Sequence, residues 1–235
     1  VTYREIREAA YEANVRIVQA GLVLLTWGNA SAADRESGVY AIKPSGVPYA
    51  ELGPESMVVV SIEDGSVVDG NLRPSSDRET HTEIYRGFEG VGGIVHTHSH
   101  FAVCFAHALR EIPCYGTTHA DHFADAIPVT RQLTAAEVAG DYERETGRVI
   151  VERFHDGGLD PMAIPGVLIA HHGPFAWGES AEKATENAIV LEEVARMGLH
   201  TESLSAAVQP APRRLVEKHF YRKHGTDAYY GQPEQ

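Results

Sequence analysis

Two histidines one residue apart, His96 and His98, end the run Gly92-Gly93-Ile94-Val95-His96-Thr97-His98-Ser99. An apolar run leading straight into them reads as a β-strand, where residues two apart point the same way, so both imidazoles share a face and Thr97 turns away. Two imidazoles on one rigid strand make half of a transition-metal site. The chain holds 13 histidines, so a chance pair is common and the weight falls on what completes the site. Val167 to His172 repeats the arrangement, an apolar strand with imidazole at its carboxyl end. Adjacent strand residues face opposite sides, so one of His171 and His172 joins the site, and Gly173, which permits a close backbone turn, favours His172. Three imidazoles suit zinc and leave a fourth position for water, a carboxylate or substrate. Asp77, at a predicted helix start, is the candidate carboxylate, and reads equally well as a charge that stabilises a helix N-terminus.

A second chemistry is written in three short segments rich in small donors: Gly28-Asn29, Ser45-Gly46 and Ser75-Ser76, with Lys43 beside the second. Backbone N–H groups and small hydroxyls are what a phosphate dianion needs, and a lysine adds a point charge. Each segment alone is ordinary turn and cap chemistry. In combination they suggest a phosphate cradle.

These side chains need a scaffold, and composition bounds it. With 235 residues, 43% apolar and 23% charged, the chain is expected to form one domain, 1–235, with ample material for a core. A formal net charge of −13 argues against nucleic acid as partner, yet leaves room for a small anion held by a local cluster of donors. The apolar runs are too short to span a bilayer and the first residues lack a charged-then-apolar leader, so no membrane partner and a cytoplasmic location are expected. Cys104 and Cys114 read as free thiols.

In chain order, Thr2-Tyr3-Arg4-Glu5 predicts a capped helix closing near Gly21, and Val39–Ile42 a short strand that delivers Lys43. Met57 to Ser61 and Ser66 to Val68 predict a hairpin, which makes the sheet partly antiparallel. Ser76 and Glu79 suggest a capping box before the next helix, Ser99 to Leu109 another helix, and Thr134 with Glu137 the cap of a long helix towards Phe154. Pro165 to Ala170 predicts a buried strand, Ser180 to Met197 a helix closed by Gly198, and Pro212 to His224 a last helix. The expected fold is α/β, a mixed sheet covered by helices on both faces.

The runs Leu25-Thr26-Trp27-Gly28-Asn29, Ile42 to Val47, Pro74 to Asp77, Gly92 to Ser99, Gly116 to Asp121, His172 to Gly178 and Tyr229 to Gln232 together resemble the class II aldolase and epimerase family over essentially the whole chain. The resemblance implies a mostly antiparallel sheet between helical layers and a homotetramer with active sites between neighbouring subunits. It implies metal ligands at His96, His98 and His172 with Asp77 nearby, and zinc as the ion, with manganese as the alternative. It implies phosphate contacts at Asn29, Lys43, Ser45, Gly46, Ser75 and Ser76, an acid/base pair at Asp121 and Tyr230, and further site residues at Thr117, Glu143, His219 and Arg222.

Within the family, the sugar-phosphate 4-epimerases are the branch most resembled. They invert C4 of L-ribulose 5-phosphate, giving D-xylulose 5-phosphate, by breaking and remaking the C3–C4 bond. The rival reading is an aldolase similar to fuculose-phosphate aldolase, which has a glutamate after the paired serines where this chain has Asp77. A non-catalytic module resembling the adducin head would lack the metal site, and a zinc hydrolase would show a motif such as HExxH, which is absent.

Overall fold

The computed structural model describes residues 3–224 and 228. Its strands are β1 (Gly28–Asp34), β2 (Val39–Ile42), β3 (Val58–Ser61), β4 (Val67–Asp69), β5 (Gly93–Thr97), β6 (Gly166–Leu168) and β7 (Pro174–Gly178). They form one seven-stranded sheet in the order β4-β3-β2-β1-β5-β7-β6. Every ladder in it is antiparallel. The parallel component is an isolated bridge between Val129 and Leu168.

The helices are α1 (Arg4–Gln19), α2 (Arg78–Gly87), α3 (His100–His107), α4 (Thr117–Ala120), α5 (Ala135–Ala139), α6 (Tyr142–Gly157), α7 (Ala181–Leu204) and α8 (Arg213–His224). None is long and apolar enough to cross a membrane. Alternation along the strands sorts them into layers. On β1, Ser31 bonds to His81 and Tyr85 of α2, and on β2, Tyr40 bonds to Thr82 of the same helix. Trp177 of β7 packs on Phe88 and on Phe154 of α6, which closes this layer with aromatic surface. The opposite face takes α1 and α7. There Gly93 and Gly178 leave no room for a Cβ, which would collide with the backbone of Ala181 and Ala184 respectively.

Strand β1 runs through the middle of the sheet although Gly28-Asn29-Ala30-Ser31-Ala32-Ala33-Asp34 lacks the β-branched and aromatic residues that favour strands. Its small residues let helices approach from both sides. Where β2 diverges from it, Asn14 of α1 supplies the missing partner, its side chain bonding to both the N–H and the carbonyl of Ala30. Beyond that divergence the chain after β2 still reaches β1, where the Tyr49 hydroxyl donates to the Gly28 carbonyl at 2.7 Å.

The structure departs from several expectations. Tyr3, without a side-chain bond, caps α1 in place of Thr2, which lies outside the described residues. The Ser76 box does not form; Asp77 is the N-cap of α2 and Ser75 Oγ accepts from the Asp77 N–H at 3.3 Å. The Thr134–Glu137 box does form, but the helix it starts ends at Ala139, and α6 begins afresh after Gly140-Asp141. Gly198 does not close α7, which continues to Leu204; a Cβ there would stand 3.4 Å from Phe105 of α3, so this glycine serves helix packing. The strand expected over Pro165 to Ala170 stops at Leu168.

Candidate metal and phosphate site

At one end of the sheet four chain segments meet. Gly28 opposes Thr97, Asn29 opposes His96, Ser31 opposes Ile42, and Leu168 opposes Pro174. The start of β1, the ends of β2 and β5 and the β6–β7 turn therefore deliver their side chains to one place.

His172 reaches it from a turn and not from a strand. The chain reverses at Ala170-His171, with His171 in the left-handed region (φ 62) and exposed, and the His172 N–H bonding back to Ile169. This corrects the strand geometry expected for the pair while leaving His172 as the inward residue. Gly173 is required beside it, since a Cβ would lie 2.7 Å from the Thr97 carbonyl oxygen.

The three rings form a near-equilateral set, with centroids 5.0 Å apart for His96–His98 and 4.9 Å for each to His172. One nitrogen from each lies within 4.8 Å of the others, and His98 Nε2 and His172 Nε2 are 3.2 Å apart. Two nitrogens bound tetrahedrally to one zinc at about 2.1 Å stand about 3.4 Å apart, so this pair is already close to a chelating separation.

Hydrogen bonding fixes which nitrogen of His96 keeps a free lone pair. Its Nδ1–H donates to the Pro174 carbonyl at 3.0 Å, its ring stacks on Phe175 at 4.2 Å, and its Nε2 is buried with no partner. A buried acceptor left unpaired is costly, and a cation is the partner that restores it. Burial, then the neighbouring His96 and His98, push the His172 imidazole down to about 3, and burial followed by His96 also lowers His98. Neutral rings with free lone pairs are the ligand form. The donor set fits a divalent metal.

Asp77 enters through Asn29, whose amide donates to Oδ2 at 2.6 Å. Burial works to raise this carboxyl, but His96, His81 and the Asn29 bond outweigh it and hold Asp77 below the usual carboxylate range.

The phosphate segments are zipped together by backbone. Ser75 N–H bonds to the Lys43 carbonyl and Ser45 N–H to the Arg73 carbonyl, both at 2.9 Å, and Pro44 bridges Pro74. Gly46 takes φ 70, a turn that glycine adopts without strain. Ser45, Gly46 and Ser76 are exposed and Ser75 half-buried, whereas Lys43 is buried. Its ammonium donates to the Pro44 carbonyl at 3.2 Å and lies 4.8 Å from the centre of the Tyr49 ring, with no carboxylate partner among the described residues. Burial lowers its pKa. A buried cation without a counter-charge among the described residues, beside a hydroxyl-lined loop, is chemically suited to an anion.

The family described as class II aldolase and adducin N-terminal domain matches residues 8–199. The chain belongs to this family. An L-ribulose-5-phosphate 4-epimerase, UlaF, from Salmonella paratyphi B is 48% identical over 229 residues, spanning 97% of this chain and 99% of that protein. Among solved structures, an L-fuculose 1-phosphate aldolase aligns with a TM-score of 0.78 at 22% identity, over 94% of this chain and 96% of that one. YgbL from Klebsiella pneumoniae, titled a putative aldolase/epimerase/decarboxylase, aligns at 0.70 and 23%, over 93% and 99%.

The remaining residues expected from this class II aldolase family fall into two places. Glu143 is in the first turn of α6, beside Tyr142, and its carbonyl accepts from Thr80 Oγ1 at 2.6 Å. Thr117 starts α4 and Asp121 follows its last residue, and Asp121 pairs with α8: Arg222 reaches both Asp121 oxygens (2.8 and 3.0 Å), His219 Nδ1 lies 2.9 Å from Oδ1, and Lys223 lies 3.4 Å from Oδ2. Burial would raise Asp121, but Arg222, His219 and Lys223 hold it low. The hydrogen bonds and ion pairs of Asp121 thus run to α8 and not to the three imidazoles. Tyr230 lies outside the described residues. Two site neighbours had no signal in the sequence: Tyr142, whose hydroxyl is 3.3 Å from His172 Nδ1, and Phe175, under His96. Only the pairing of distant segments reveals them.

Proposed function

We propose that this chain is a metal-dependent sugar-phosphate 4-epimerase that interconverts L-ribulose 5-phosphate and D-xylulose 5-phosphate by cleaving and reforming C3–C4. The observation that carries the reading is three imidazole nitrogens converging next to a buried, unpaired Lys43, together with 48% identity to an enzyme of that name along nearly its whole length. His96, His98 and His172, with Asp77 beside them, would hold zinc or manganese. A divalent cation there supplies Lewis-acid stabilisation of the charge that develops on the ketone end as C3–C4 breaks.

The protein's own groups do the rest. Lys43, Ser45, Gly46, Ser75, Ser76 and Asn29 grip the phosphate, so the aldehyde fragment stays tethered while it turns over. Asp121 and Tyr230 are assigned as the acid/base pair that would serve the two faces of that aldehyde. One takes the proton of the 4-hydroxyl on cleavage, and the other returns a proton to the oxygen from the opposite face, so inversion needs both. In this reading the chain is a homotetramer and a neighbouring subunit donates Asp121, Thr117, His219, Arg222 and Tyr230, with Glu143 near the same cleft. Exposed Leu24, Leu25 and Trp27, the last 6.5 Å from the His98 ring, are apolar surface for that neighbour to cover.

The test is incubation with L-ribulose 5-phosphate and identification of products by NMR. Accumulation of D-xylulose 5-phosphate without free aldehyde is expected. Lasting release of glycolaldehyde phosphate and dihydroxyacetone would assign the chain to the aldolases, and absence of any turnover would overturn the reading altogether.

A further inference from the structure

Three side-chain atoms close to Asp77 are buried without a hydrogen-bond partner among the described residues: His96 Nε2, Asn29 Oδ1 and His81 Nε2. The first belongs to the metal site. His81, in α2, is not one of the three imidazoles of that site, yet its ring is fully buried against Phe175, the ring stacked under His96.

Proton counting fixes its tautomer. Ser31, His81 and Tyr85 are each 0% exposed, so bulk water does not enter the count. Ser31 Oγ lies 2.7 Å from the Tyr85 hydroxyl and 2.8 Å from His81 Nδ1. Ser31 is the one partner of the Tyr85 hydroxyl among the described residues, so the Tyr85 O–H donates to Ser31. Ser31 then has a single proton to give and one acceptor left, His81 Nδ1. An imidazole that accepts at Nδ1 carries its proton on Nε2. The reverse order would strand the Tyr85 proton in a dry core, which protein interiors avoid. His81 therefore holds a spare N–H donor. One helical turn separates it from Asp77, on the same face of α2, and Asp77 is the strongest charge acting on it.

We propose that His81 is a positioning residue for Asp77: locked as the Nε2–H tautomer by Tyr85 and Ser31, it offers the carboxylate a second donor beside the Asn29 amide and so sets which oxygen faces the three-histidine site when a divalent cation is held there. The inference rests on reading His96, His98 and His172 as metal ligands.

The full chain tests it with Zn2+ as probe. His81→Asn keeps an acceptor towards Ser31 and removes the donor at the Nε2 position; His81→Gln places an amide donor there. Competition against a chromophoric chelator should show Zn2+ binding weakened roughly ten- to hundredfold in H81N and restored to within a few-fold of native in H81Q. Equal losses in both variants, tracking their metal-free melting temperatures, would make His81 a packing residue and overturn the proposal. In the native protein, a long-range proton–nitrogen NMR spectrum should give His81 a pyridine-type Nδ1 and a pyrrole-type Nε2 whose signal moves when Zn2+ is added. A protonated Nδ1 overturns the proposal even where neither variant folds. Native protein that fails to bind Zn2+ would overturn the metal reading and this inference with it; tight native binding with H81N unchanged would overturn this inference alone.

Discussion

Lys43 illustrates what a single residue can be arranged to want. An ammonium buried against a carbonyl and an aromatic face, with no carboxylate among the described residues to neutralise it, is destabilising until an anion arrives. In the proposed function that anion is the substrate's phosphate, and because a phosphate is present equally in ground and transition states, the contact would contribute uniform binding. Lys43→Ala is therefore expected to raise KM for the phosphorylated sugar by roughly ten- to a hundredfold, the equivalent of a charged hydrogen bond, with a much smaller effect on kcat. Steady-state kinetics check it, and an unchanged KM would remove Lys43 from the cradle.

At the scale of elements, the sheet holds the site by letting helices come unusually close. Gly93 lies beside the backbone of Ala181 at the start of α7, three residues before His96. Gly93→Ala must push β5 and α7 apart, and a loss of about 2 kcal/mol or more is expected, read as a lowered urea midpoint. The same scale explains what the sequence could reveal. His96 and His98 were legible because a strand's period of two is a local rule, and β2 and the β3–β4 hairpin because turn residues bracket β-branched runs. Strand β1 was not, because its small residues are chosen for close helix contact and not for strand propensity. Strand β7, only five residues starting at a proline, was hidden behind the turn that presents His172. The placement of Asp121 against α8 depends on a contact between segments about a hundred residues apart, for which no local pattern exists.

The whole molecule sets the remaining behaviour. His119 is buried, with Nε2–H donating to the Asp125 carbonyl, and burial pushes its imidazole down to about 4. In the unfolded chain it titrates at about 6.5. Between these values the unfolded state binds a proton that the folded state refuses, so stability is complete above about pH 6.5 and declines as pH falls towards 4, by ~3 kcal/mol at most from this residue. Urea midpoints measured between pH 7 and 4.5 should fall less steeply in His119→Gln than in the native protein. If active sites are shared between subunits, two inactive variants should complement each other. Mixing His96→Asn with Asp121→Asn after dissociation should restore roughly a quarter of native turnover, the fraction of junctions at which both intact halves meet in a closed ring. No recovery in verified mixed oligomers would mean that each subunit carries its own complete site.

The central claim is that His96, His98 and His172 hold one divalent cation on which turnover depends. Its most direct test is to strip the protein with chelator and titrate Zn2+ back while following both bound metal and conversion of L-ribulose 5-phosphate. Turnover should rise in step with bound zinc and level off at one ion per chain, with His96→Asn retaining little metal and losing roughly a hundredfold or more in rate. Stripped protein that works as fast as loaded protein, or His96→Asn that binds a full equivalent and turns over normally, would contradict it.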